Sequence, residues 1–215
     1  MEEIIEMSSF LTDVLNYLPS NPMAYAEFLN KIIGSSKKIS DYLFERKFKK
    51  FIDGCFADDS LKKRFINLIN KDGKKEENAF RIIEIINKCD CEEKVDFIIN
   101  LTDAFINEYI DKESYFRLCK IVNDNLYEDL CFVRETIFNN MQIYDSVIQT
   151  LFSNGLMYQS SIDVGGHAYY SYTTIARYLD KYALSYKDDQ RYPDKEAKPD
   201  AVNATTRIES KATFG

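Results

Sequence analysis

The sequence predicts a mainly α, multi-helix protein that carries a small β-containing unit near its C-terminal end. Three observations lead there. Apolar residues recur at helical spacing through residues 1–154. A Gly165-Gly166 pair separates two short strand-like runs between residues 156 and 172. Capping residues stand before most of the apolar runs. The expectation is nine or ten helices and one antiparallel hairpin, arranged as a helical domain over 1–140, a winged-helix-like unit over 141–184 packed on it, and a flexible tail over 185–215.

Along the chain, Ile4, Met7, Phe10, Leu11, Val14 and Leu18 share one helical face, and Pro19 and Pro22 end that helix. Tyr25 to Ile33 forms a second, closed by Gly34. Ser36 or Ser40 caps a third, whose apolar set is Ile39, Leu43, Phe44, Phe48, Phe51 and Ile52. Asp58 to Ser60 opens a helix that stops before Asp72-Gly73, and Phe80 to Ile86 marks the next. Asp90 to Glu93 reads as a capping box for a helix through Val95, Ile98, Leu101 and Phe105. Asp111 starts another, and a long helix through Leu130, Val133 and Ile137 leads into the C-terminal unit. There a helix from about Asn139 to Asn154 ends at Gly155, the hairpin follows, and Thr173 caps a closing helix.

Composition narrows the function classes. Hydrophobic residues make up 45%, with 15 Tyr and 15 Phe, which suits a globular chain with a real core. The formal charge of −7 argues against a protein that coats nucleic acid or anionic membrane. That charge is uneven: residues 37–75 sum to +6, while residues 76–135 sum to −8. The five cysteines, with a start of Met-Glu-Glu, point to reduced thiols and a cytoplasmic protein.

No constellation of catalytic residues emerges, and the chain reads as a non-enzyme without cofactor or metal. Cys89 and Cys91 are one residue apart, whereas closed zinc sites use four ligands in wider pairs. His167, the single histidine, follows the Gly-Gly turn without a nucleophile motif to serve. A winged helix normally contacts DNA through the helix before its hairpin, yet residues 139–154 contain no Lys or Arg. The basic run is elsewhere. Lys37, Lys38, Arg46, Lys47, Lys49 and Lys50 stand beside aromatic residues on one amphipathic helix and form the predicted partner-binding surface.

Tyr42-Leu-Phe-Glu-Arg46-Lys-Phe, Phe97-Ile-Ile through Ile110-Asp111, Leu151-Phe-Ser-Asn-Gly155-Leu and Tyr172-Thr-Thr together resemble helical proteins of low-GC bacteria and their phages. Some of those proteins are found near defence or abortive-infection genes. The resemblance spans roughly residues 35–184 and implies a fold and a setting in phage–host conflict, without an active site to transfer. Three functions are therefore expected in order: a protein-interaction or regulatory protein, a winged-helix DNA-binding transcription regulator, and a membrane-surface effector. The partner is expected to be a protein, with DNA, a membrane surface and a second copy of the chain behind it.

Overall fold

The computed structural model describes residues 41–139, 142–188 and 190–192. The predicted helices before residue 40, with Lys37 and Lys38, lie outside the described residues, as does the chain after Tyr192. Within the described residues, eight α-helices and a small antiparallel sheet enclose one continuous core. The helices are α1 (Asp41–Cys55), α2 (Asp59–Ile69), α3 (Lys75–Lys88), α4 (Glu92–Ile106), α5 (Lys112–Asp124), α6 (Tyr127–Thr136), α7 (Ser146–Ser153) and α8 (Thr174–Leu179). The strands are β1 (Gln142–Ile143), β2 (Met157–Ile162) and β3 (Ala168–Tyr172), in the order β1-β3-β2.

The caps explain where several helices begin. Asp58 accepts the Ser60 amide at 2.8 Å, Asp111 that of Ser114 at 2.7 Å, and Thr173 that of Ala176 at 3.3 Å, so each satisfies a donor the helix cannot. The capping box expected at Asp90 does not form. Cys91 is the N-cap residue of α4 and makes no side-chain cap, because the Asp90 carboxylate is drawn 2.9 Å from the Lys94 ammonium. The helix expected over 139–154 is also shorter. Residues 142–143 pair with β3, and Asp145 accepts the Ile148 amide at 2.8 Å, fixing the start of α7 at Ser146.

Helix α4 is the centre of the molecule. Eleven of its residues are buried, against α1, α2, α5 and the C-terminal segment. Gly54 permits the close approach of α1, since a Cβ there would lie 2.6 Å from the Ile99 side chain. Phe65 meets Phe56, Phe105 and Tyr115 at ring-centroid distances of 5.2, 6.0 and 6.5 Å. Thr102 donates to the Ile98 carbonyl, so its oxygen accepts from the buried Tyr115 hydroxyl at 3.1 Å.

Helix α8 continues into a π-helical segment, Asp180–Leu184, which packs on α4 and α6. Asn100 donates to the Ala183 carbonyl at 2.7 Å and fastens it. The packed chain runs past the boundary expected at Leu184. Ser185 and Tyr186 are buried, and the fully buried Asp180 carboxylate accepts from Ser185 Oγ at 2.7 Å, Arg191 Nε at 3.1 Å and Tyr192 Oη at 2.6 Å. A buried carboxylate needs such partners, and they come from the next turn of chain. The sequence hid this because its mixed charges and prolines have no period.

Candidate interaction surfaces

The basic helix α1 holds its cations close. Arg46 pairs with Glu92 at 2.7 Å, and Lys50 reaches both the Glu92 carbonyl at 2.9 Å and the Asp96 carboxylate at 2.8 Å. Lys47 is only 4% exposed, and its ammonium donates to the carbonyls of Asn87 and Cys89 at the end of α3. Those carbonyls have no partner within their own helix, so Lys47 serves as a C-terminal cap from a neighbouring helix. Burial pushes its pKa down, against the neighbouring Cys89 and Asp90. Lys49 alone of these four points outward without a partner given by the described contacts. Thus Arg46 and Lys50 lie on the α1–α4 seam, and Lys47 occupies an interior position beside it against the end of α3.

The chemistry weighed for cysteine and histidine can also be placed. Cys89 is buried beside Asn123, and desolvation pushes its thiol up to about 12, far from thiolate formation at neutral pH. Among the described residues, no three His, Cys, Asp or Glu side chains cluster as metal ligands. His167 stands exposed at the hairpin tip, with Nδ1 3.1 Å from Asp163, whose carboxylate also accepts the His167 amide at 2.8 Å. That amide bond is the first cause holding the Asp163 carboxyl below its ordinary range. The pair closes a turn in which Gly166 takes φ +83°.

A cleft of about 740 Å³ opens between α4, α6 and residues 184–190. Phe97 and Tyr127 stack at 5.9 Å along one wall, and Glu93, Asp96, Arg134 and Lys187 bring both charge signs to it. Ser185 also lines this cleft, but its hydroxyl is engaged with Asp180 and no histidine is near to activate it.

The C-terminal β unit presents a different surface. Tyr144 and Phe152 lie against Tyr170 with ring centroids 5.9 and 5.5 Å apart, so all three gather on one face of the sheet. Ile162 pairs with Ala168, two residues from Tyr170, and therefore shares that face. Tyr144 is 50% exposed, Phe152 45% and Ile162 62%, with Val164 fully in water at the hairpin tip. Residues 139–176 contain no Lys or Arg. An apolar, cation-free surface of this kind is what a protein partner covers more readily than a phosphate backbone does.

Comparison with protein-family models, with curated proteins and with solved structures finds no match for this chain. Among the described residues no helix is long and apolar enough to cross a membrane.

Proposed function

We propose that this chain is a non-enzymatic interaction or regulatory protein that meets a protein partner on the aromatic face of its C-terminal β unit. The observation that carries this reading is the joint exposure of Tyr144, Phe152, Ile162 and Val164 within one stretch devoid of basic residues. The resemblance to helical proteins of low-GC bacteria and phages supplies the setting, phage–host conflict. Cytoplasmic action is part of the same proposal.

Photo-crosslinking in the native host tests it. A crosslinker placed at Phe152 or Ile162 should capture one defined protein, while the same group at Lys49 on α1 captures none. Capture from Lys49 alone would move the contact to the basic helix and remove this reading.

One observation favours a winged-helix DNA-binding regulator as the second reading: the β1-β3-β2 order, with a helix directly before the hairpin. A single helix of eight residues lies between β1 and β2, where a helix-turn-helix has two, and it carries no cation. A gel shift that weakens steeply with salt would promote this reading over the first. A membrane-surface role for α1 draws less support, since Arg46, Lys47 and Lys50 are engaged within the molecule.

A further inference from the structure

A second concave site lies on the opposite use of charge. Arg81 on α3 and Lys112, Arg117 and Lys120 on α5 line a pocket of about 530 Å³, with Glu113 its one carboxylate and Phe116 its apolar wall. Three of the cations are partly compensated. Lys112 pairs with Asp72 at 2.6 Å, Arg117 with Glu113 at 2.8 Å, and Lys120 with Asp124.

Arg81 is different. Its guanidinium carbon lies over the buried Phe116 ring, 3.8 Å from the centroid, and no ion pair joins it to a described carboxylate. Its two same-helix candidates are taken: Glu77 pairs with Lys74 and Glu84 with Lys88. The Lys112 ammonium sits 6.0 Å from the same ring. The cation–π contact holds the guanidinium over the ring while its N–H donors make no ion pair among the described residues. A planar fork with ammonium groups beside it suits a phosphoryl group, which takes paired N–H donors from arginine and point charge from lysine. The pocket also reaches the first turn of α5 at Lys112 and Glu113, where the helix dipole adds positive potential.

We propose that the α3–α5 pocket binds a small phosphate-bearing ligand, with Arg81 as the oriented donor and Arg117 and Lys120 as flanking cations. This site is independent of the partner surface on the β unit. Two adjacent phosphoryl groups fit it better than one, because the flanking cations Arg117 and Lys120 stand on successive turns of α5. The ligand is therefore a condensed phosphate, either free or as the phosphate chain of a nucleotide.

Titration calorimetry on the full chain at low salt tests the assignment, with tripolyphosphate and a nucleoside triphosphate as separate probes and sulfate as the single-anion control. Saturable one-to-one binding of at least one condensed phosphate, weaker in higher salt and at least tenfold tighter than sulfate, is expected. A tighter fit to the nucleotide would assign the base to the pocket as well, whereas equal affinity would assign the phosphate chain alone. Arg81→Ala should weaken binding by roughly tenfold or more, and Arg81→Lys should recover only part of the loss. Lys120→Glu, on a largely exposed side chain, should weaken it too without disturbing the core. Lys49→Glu should change nothing. Absence of saturable binding, or equal binding by the wild type and the Lys120→Glu chain, would overturn the proposal.

Discussion

Helix α1 and the α3–α5 pocket both gather cations, yet they direct them differently. On α1 the charges turn inward: Lys47 caps the end of α3, Lys50 straddles a carbonyl and a carboxylate of α4, and Arg46 pairs with Glu92. In the pocket, Arg81 is held over the Phe116 ring while Lys112, Arg117 and Lys120 line the same space. The first group belongs to a segment of charge +6 and the second to one of charge −8. Net charge along a segment averages over all faces of its helices, so it does not locate a cationic surface. What decides is which carboxylates and carbonyls the fold brings alongside.

The comparison breaks most visibly at Lys47. Lys47→Glu should cost roughly 2–4 kcal/mol in denaturant unfolding, because it places a buried carboxylate against two helix-terminal carbonyls. Lys47→Met should cost about 1–2 kcal/mol, since the aliphatic stem remains and only the capping bonds go. If Lys47→Glu unfolds at the wild-type midpoint, α1 is not anchored as described.

Smaller effects follow at the rim of the same seam. Arg46→Glu and Lys50→Glu should each lower stability by about 1 kcal/mol or less, and the loss should shrink in high salt because these pairs are partly exposed. Arg81→Ala should cost about 0.5–1 kcal/mol through loss of the contact with Phe116, so a much larger loss would make Arg81 structural. Lys49→Glu should stay within about 0.5 kcal/mol of wild type by thermal melting, as expected for a solvated side chain.

The last test compares neutral with acid pH. Asp72, bound first by the Lys112 ammonium, has its carboxyl pulled down from 3.8 to about 2. A folded-state value below the unfolded one stabilises the fold above pH 3.8 and ceases to do so as pH falls toward 2. Asp72→Asn should therefore be less stable than wild type near neutrality, and that difference should close as pH falls from 3.8 toward 2, which flattens the acid limb of the unfolding profile. An unchanged acid profile would show that the ion pair beside the pocket contributes nothing.

Much of the fold could be read directly. Asp58, Asp111 and Thr173 cap helices where their side chains promised, and the hairpin turns at Gly165-Gly166. The position of Lys47 was legible too, by spacing: it lies three residues after Phe44 and four before Phe51, on the face those rings bury. A lysine there reads as solvated only if residue type is weighed above position. Asp90 shows a local competition instead, since Lys94 four residues on draws the carboxylate away from the helix-start amides. The Arg81 pocket was hidden for a different reason, because its cations come from helices about thirty residues apart.

The Asp180 cluster also constrains how the chain must be made. Its carboxylate is buried by the core, yet two of its partners, Arg191 and Tyr192, are synthesised last among the residues that pack there. A nascent chain that has just passed Leu184 has the π-helical segment but lacks those two donors. A product truncated there would carry an under-solvated anion in its interior, a lesion that quality-control proteases can read as local unfolding.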